Sequence, residues 1–340
     1  MLHDKRDEHM EREKRKKRLA IIILVSICML FLVACKTNGE KEEKQQPSNN
    51  TPSVTAVPEE RSEITPTAVP AETITPEGGS SEVMASPPPV SFIVPEGQTI
   101  KERFALPTGF TRVIPEENSF AEYLQNLPLK PDGTKVRYYD GREKSREVYL
   151  GVVDFTLGER DLQQCADAVM RLRAEYLYEK ERYNEIHFNF VSGFRAEFSK
   201  WSSGNGVSVN GNSVSWYPNS NNNSSYESFQ KYLDIVYAYA STLSLEKELQ
   251  EKPFSELEIG DVFIQGGSPG HCVIVVDVAM NEETGEKVFM LAQSYMPAQD
   301  IQVLIGDEEN SPWFSDRIEE ILYTPEWRFH TTDLKTWDTE

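Results

Sequence analysis

The chain has 340 residues, with 35 Lys and Arg against 55 Asp and Glu, which gives a formal charge of −20. This length allows about one or two domains. The four Cys and the polar composition exclude a disulfide-stapled miniprotein and a multi-span membrane protein. The acidic balance also argues against nucleic acid as a partner, because nucleic-acid-binding proteins usually carry a basic surface.

The amino-terminal segment, residues 1–34, has the pattern of an export signal. A basic run at residues 14–18 precedes an apolar run at residues 19–33. That apolar run is shorter than the about 20 residues that a spanning helix needs, and it suits a secretory signal peptide. The run ends in Leu-Val-Ala before Cys35, and this junction resembles the lipobox of bacterial lipoproteins.

The lipobox resemblance implies that Cys35 is acylated and that membrane lipid is a partner of the protein. The protein would then be lipid-anchored to the cell membrane on its extracytoplasmic face. An uncleaved single anchor, with Cys35 incidental, is the alternative.

A second segment, residues 35–95, has the composition of a tether. Residues 36–90 contain no Phe, Trp or Tyr, and nine Pro are scattered among Thr, Ser, Glu and Ala. So little apolar surface cannot offset the entropy lost on ordering. We therefore predict a disordered Pro/Thr/Ser/Glu-rich tether over residues 35–95 and a globular domain over residues 96–340.

The pattern of the globular domain predicts both helices and strands. In chain order these are a strand over 147–156, a helix over 161–180, a strand over 186–191, a short helix over 194–201, a hairpin over 207–216, helices over 226–239 and 244–250, and strands over 260–265, 271–279, 287–295 and 301–304. Neighbouring strands joined by short turns form antiparallel sheets. The predicted fold class is therefore α+β, with helices packed on an antiparallel sheet.

Three side chains are candidates for nucleophilic catalysis. Cys165 lies in the first turns of the predicted long helix, where amide dipoles lower a thiol pKa. His271 opens an apolar strand directly after Gly270, and Gln293 lies near the end of the next strand. Regular pairing of these two strands puts His271 and Gln293 on opposite faces, whereas a one-residue bulge puts them on the same face.

The order of Cys on a helix, His on a strand and an amide on the following strand resembles the papain-like cell-wall peptidases of the NlpC type. The strand that begins at Gly260-Asp261, ahead of His271, fits the same family. This resemblance implies a papain-like core with Cys165 as nucleophile, His271 as base and Gln293 as orienting group. The family's Asp-Cys-Ser-Gly signature is absent, and 105 residues separate Cys165 from His271.

A closer resemblance rests on five strings of the globular domain: LQQCADAVMRLRAEYLY, GDVFIQGGSPGHCVIVVDVA, LAQSYMPAQDIQVL, SPWF and TPEW. They look like the bacterial domain-of-unknown-function family 4846. That family carries no established activity, so the resemblance implies a family for the chain and leaves the function open.

Two function classes remain open. The first is a cysteine hydrolase acting on amide bonds of the cell envelope, with cell-wall peptide as its partner. The second is a non-catalytic module that binds glycan or peptidoglycan through Trp201, Trp216 and Tyr217 beside an Asn-rich loop.

Further alternatives concern the cysteines and cofactors. A Cys on the apolar stripe of a helix is often a core residue, and a disulfide between Cys165 and Cys272 is another alternative. We predict no cofactor and no metal, because the well-separated His give no ligand pair within reach of a helix or turn.

Overall fold

The computed structural model describes residues 91–338. The predicted signal peptide, Cys35 and nearly all of the predicted tether lie outside the described residues. Within residues 91–338, six α-helices occur: α1 (Ile100–Arg103), α2 (Phe120–Gln125), α3 (Cys165–Glu179), α4 (Phe198–Ser202), α5 (Tyr226–Tyr239) and α6 (Thr242–Glu248). In the same part of the chain, no helix is long and apolar enough to span a membrane.

Fifteen strands accompany the helices in the described part. They are β1 (Thr111–Arg112), β2 (Tyr149–Val152), β3 (His187–Asn189), β4 (Arg195–Glu197), β5 (Asn205–Asn210), β6 (Ser213–Pro218), β7 (Gln250–Glu251), β8 (Val262–Gln265), β9 (His271–Met280), β10 (Lys287–Gln293), β11 (Gln302–Leu304), β12 (Trp313–Ser315), β13 (Ile321–Tyr323), β14 (Arg328–His330) and β15 (Leu334–Thr336). Two 3₁₀ turns cover Phe254–Glu256 and Thr331–Asp333.

Nine of these strands form one antiparallel sheet at the centre of the fold. Its order is β2-β11-β10-β9-β8-β15-β7, while β1 pairs with β9 and β12 pairs with β10. The pairs β3–β4, β5–β6 and β13–β14 form three separate two-stranded sheets. The predicted α+β class with a large antiparallel sheet is therefore confirmed.

The core lies where α3 packs against the middle of this sheet. Every residue of β9 from His271 to Ala279 is buried, which explains why this strand reads as an almost continuous apolar run. On the helix, twelve of the fifteen residues of α3 are buried. Helix α3 contacts β9 and β10 directly, so its first residue is held close to the start of β9.

A β-bulge interrupts the pairing of β9 with β10. Met290 pairs with Asp277, but the next residue, Leu291, pairs with Val275, so Val276 is an extra residue on β9. Because one extra residue reverses the alternation of faces, everything beyond it on β10 lies on the other face relative to β9.

The segment after β3 differs from its prediction. A helix was expected over residues 194–201, whereas Arg195–Glu197 forms strand β4 and the helix α4 begins only at Phe198. Residues 187–189 and 195–197 pair as a short hairpin, and this cross-strand pairing overrides the helical pattern of residues 194–197.

Candidate functional site

Cys165 is the first residue of α3, and its thiol lies close to the start of β9. The Cys272 thiol, the His271 imidazole and the Ala166 amide are the groups next to this thiol. These contacts lower the pKa of Cys165 well below its usual value, with the Cys272 contact the largest cause, although burial acts in the opposite direction. Cys165 therefore has the environment of a thiolate.

The imidazole of His271 is hydrogen-bonded to the side chain of Gln293. The distance from His271 Nε2 to Gln293 Oε1 is 2.8 Å, and both residues are about 99% buried. The bulge at Val276 produces this pair, because regular pairing would place Gln293 on the face opposite to His271. Of the two registers left open by the sequence, the bulged one occurs.

Glu326 fixes the orientation of the Gln293 amide. Gln293 Nε2 donates to Glu326 Oε2 at 2.7 Å, and a carboxylate can only accept here. The amide oxygen of Gln293 must then face His271, so His271 Nε2 carries the proton and donates it. The other ring nitrogen, Nδ1, is left free of this contact and available as a base.

A buried lysine completes this chain of polar side chains. Lys144 Nζ lies 2.7 Å from Glu326 Oε2 and 3.5 Å from Gln302 Oε1. Its side chain is 3% exposed and that of Glu326 is 10% exposed. Burial lowers the pKa of Lys144, and the hydrogen bond to Glu326 opposes that shift. The ion pair holds the Glu326 carboxylate in place beside Gln293.

Aromatic rings enclose His271 on the side of the β13–β14 hairpin. The ring centroids of Tyr295, Trp327 and Phe329 lie 4.7, 5.4 and 6.0 Å from that of His271. Trp327 is fixed in turn by donating its indole N–H to Gln265 Oε1 at 2.9 Å. These rings therefore pack around the imidazole.

A cavity of about 350 Å³ opens beside Cys165. Its walls are the start of α3, the segment 237–242 and the loop 267–270 that precedes His271. That loop packs very closely, because a Cβ on Gly270 would lie 2.5 Å from Thr242 Oγ1 and 2.7 Å from Gly267 O. This close approach at Gly270 shapes the cavity beside Cys165.

The family described as "Domain of unknown function (4846)" matches residues 100–336, more than two thirds of the chain. The chain belongs to this family. Neither the curated proteins nor the solved structures compared with the chain give a match.

All the side chains described above lie within the part that matches family 4846. Glu326 and Lys144 are absent from the residues predicted from sequence, because neither belongs to a catalytic motif. One sequence signal did include Glu326, since the string TPEW covers residues 324–327. The resemblance to NlpC-type peptidases stays a prediction.

Cys272 has a second role beside its place in the core. Its side chain is fully buried in β9, and its thiol also lies next to that of Cys165. Burial raises the pKa of Cys272, and the neighbouring Cys165 raises it further. Cys272 is therefore the proton-carrying partner of the two thiols. Both are free cysteines, so no disulfide joins them in this structure.

The three aromatic residues considered for glycan binding do not share one exposed surface. Trp201 is 6% exposed, and its indole N–H donates to the backbone oxygen and hydroxyl of Ser228. Trp216 and Tyr217 are consecutive on β6 and so point to opposite faces. Tyr217 is 45% exposed and covers Gly206.

Within residues 91–338, no group of three or more His, Cys, Asp or Glu side chains could hold a metal ion. Of the other two histidines there, His187 lies in β3 and His330 ends β14, and neither contacts the side chains around Cys165 described above.

Proposed function

We propose that this family 4846 protein is a lipid-anchored, extracytoplasmic cysteine hydrolase that cleaves amide bonds of the cell envelope. Cys165 is its nucleophile, His271 its general base and Gln293 the group that orients the imidazole. The observation that supports this most is the hydrogen bond between His271 Nε2 and Gln293 Oε1, beside a thiol of lowered pKa. A nucleophile, its base and an orienting group are what acyl transfer requires.

The first step forms a thioester. The Cys165 thiolate attacks the carbonyl carbon of the amide, and its sulfur–carbon bond forms as the carbonyl oxygen becomes an oxyanion. The Cys165 amide, at the first position of α3, has no acceptor within the helix and is the donor available to that oxygen. The carbon–nitrogen bond then breaks, and the leaving amine takes a proton from the His271 imidazolium.

The second step releases the acid and restores the thiol. Neutral His271 takes a proton from water, which attacks the thioester carbon. The sulfur–carbon bond breaks, a carboxylic acid leaves, and the Cys165 thiolate is again paired with protonated His271. Throughout, Gln293 keeps Nε2 protonated, so Nδ1 is the nitrogen that exchanges protons.

The proposal that the protein acts in the cell envelope rests on the sequence of the amino-terminal segment. The basic run, the apolar run and Cys35 support export and lipid attachment, and the tether predicted over residues 35–95 would give the domain reach from the membrane.

Hydrolysis is tested on isolated cell-wall peptides, with mass spectrometry to detect newly formed amino and carboxyl groups. The wild-type protein should produce these groups. Cys165→Ala and His271→Ala should each lower the rate of hydrolysis by about 10³-fold. The matched control is His187→Ala, which removes a histidine of β3 whose ring contacts the Glu185 carbonyl, and it should leave the rate unchanged. A wild-type protein that cleaves no peptide would overturn the proposal, as would full activity in Cys165→Ala.

A further inference from the structure

The fold places the two cysteines of residues 91–338 side by side. Cys165 begins α3, which packs directly against β9, and Cys272 is the second residue of β9. Cys165 also lines one cavity together with residues 267–270, the loop that ends two positions before Cys272. The start of α3 is therefore held against the start of β9, and the two free thiols lie next to each other.

The two thiols differ in access and in ionisation. Cys165 is 7% exposed and lines the cavity of about 350 Å³, whereas Cys272 is fully buried behind it. The pKa of Cys165 is lowered to about 5, and that of Cys272 is raised well above its usual value. Because the thiolate is the form of cysteine that attacks oxidants, a small oxidant in the cavity meets one reactive sulfur, with a protonated sulfur beside it.

Amide hydrolysis leaves the Cys272 thiol without a task. That reaction uses Cys165, His271 and Gln293, and an aliphatic side chain would fill the same place in the core, as it does at each of the residues 273–276 of β9. A thiol beside a reactive cysteine has one property that an aliphatic side chain lacks. It converts a sulfenic acid on its neighbour into a disulfide, which a reductant can reverse.

We infer that Cys165 and Cys272 form a reversible redox modification site for small hydroperoxides, with Cys165 as the sulfur that the peroxide oxidises and Cys272 as the resolving sulfur. The inference goes beyond the proposed function and does not depend on hydrolysis, because it requires only the two thiols, His271 and the cavity. The extracytoplasmic location proposed above is an oxidising environment, in which disulfides persist.

The first step oxidises Cys165. Its thiolate attacks the terminal oxygen of the hydroperoxide, a sulfur–oxygen bond forms, and the oxygen–oxygen bond breaks. The leaving alkoxide, or hydroxide from hydrogen peroxide, takes a proton from the His271 imidazolium and departs as an alcohol or water. Cys165 is now a sulfenic acid, oxidised by two electrons, and the peroxide has been reduced by the same two electrons.

The second step joins the two sulfurs. Cys272 attacks the Cys165 sulfur, a sulfur–sulfur bond forms, and the sulfur–oxygen bond breaks. The departing hydroxyl group leaves as water with the proton that Cys272 loses. The net reaction turns two thiols and one hydroperoxide into a disulfide, an alcohol and water. In this form Cys165 is no longer a nucleophile, but it is protected from irreversible oxidation to sulfinic acid.

Peptide mapping after treatment with hydrogen peroxide tests this site directly. The reduced full chain is treated near neutral pH, unfolded in iodoacetamide to block the remaining thiols, and digested without reductant. Mass spectrometry should find the Cys165 and Cys272 peptides joined by a disulfide that dithiothreitol separates. In Cys272→Ala, dimedone should trap the sulfenic acid, and Cys165 should reach sulfinic acid at a peroxide concentration at least about tenfold lower than in the wild type.

Cys28→Ser and Cys35→Ser are the controls, because they remove the other two thiols of the chain and should leave the cross-link unchanged. A wild-type protein whose two thiols both stay free after peroxide treatment would overturn the inference. Oxidation of wild-type Cys165 to sulfinic acid as readily as in Cys272→Ala would also overturn it. The wild-type map decides the question even if Cys272→Ala fails to fold. Failure to cleave cell-wall peptides would count against the proposed function only.

Discussion

At the scale of single residues, Glu326 decides which ring nitrogen of His271 carries the proton. It lies 55 positions after His271 in the chain, and it acts only through Gln293. A glutamine alone offers an oxygen or an NH₂ group with nearly equal ease, and a flipped amide would face Nε2 with a donor. Glu326, held by Lys144, removes that choice, so it is a positioning residue for the base.

We expect Glu326→Gln to weaken the base without unfolding the protein. A glutamine at this position can present either end to Gln293, and it leaves Lys144 without its carboxylate partner. Hydrolysis should fall by about 10- to 100-fold, and the pH at which Cys165 is half-alkylated should shift. A role in stability alone would change the unfolding midpoint and leave that pH unchanged.

The control for this substitution is Glu320→Gln. Glu320 is an exposed residue just ahead of the same β13–β14 hairpin, and its neighbour is His330 at 3.8 Å. Glu320→Gln should leave the rate of hydrolysis and the alkylation profile of Cys165 unaltered. If Glu326→Gln behaves like Glu320→Gln, Glu326 has no positioning role.

At the scale of elements, the bulge in β9 brings the catalytic pair together, and Asp277 beside it is firmly held. Asp277 is fully buried and accepts from Arg112 Nε at 2.8 Å and from Gln125 Nε2 at 2.7 Å. These bonds join β1 and α2 to β9 next to the extra residue Val276. The irregular register is therefore anchored from outside the β9–β10 hairpin.

Removing the Asp277 carboxylate should destabilise the fold. Asp277→Ala leaves the Arg112 guanidinium without its buried carboxylate, and breaking such a pair typically costs about 3 kcal/mol or more. Urea unfolding at neutral pH, followed by far-UV circular dichroism, measures the change in free energy of unfolding. Glu282→Ala, in the exposed turn between β9 and β10, should change it by less than about 0.5 kcal/mol. A cost of similar size in both variants would contradict the anchoring role.

How much the sequence could predict depends on the range of the interaction. Helix α5 has the predicted bounds, Tyr226–Tyr239, since its apolar spacing and the Ser225 cap are local signals. Strands β8 to β11 were also anticipated, because their apolar runs are bounded by turn residues. The face of Gln293 could not be decided, since the bulge depends on contacts of Asp277 with residues more than 150 positions away.

The candidate site shows the same limit. The chemistry of Cys and His indicated Cys165 and His271, and the strand order indicated Gln293. Glu326 and Lys144 lie in segments without regular periodicity, 182 positions apart, so only the fold brings them together. The proximity of Cys165 and Cys272 was considered only as a disulfide, whereas the two are free thiols.

At the scale of the whole molecule, the proposed function in the cell envelope requires attachment through Cys35, which lies outside the described residues. The signal pattern predicts cleavage before Cys35 and acylation of that residue. Cys35→Ser should therefore block lipid attachment and leave an unprocessed or released form. Intact-mass measurement and membrane fractionation check this, with Cys272→Ser as the control. A Cys35→Ser protein of unchanged mass that fractionates with membranes like the wild type would contradict lipid attachment at Cys35.

The central claim, that His271 holds Cys165 as a reactive thiolate, is tested most directly by alkylation with iodoacetamide as a function of pH, followed by peptide mapping. Because its pKa is lowered, Cys165 should react well below pH 8.5, the usual pKa of a free thiol, and Cys272 should react only after unfolding. His271→Ala should move the Cys165 profile to higher pH. An unlabelled Cys165 in the native protein, or the same profile with and without His271, would contradict the account.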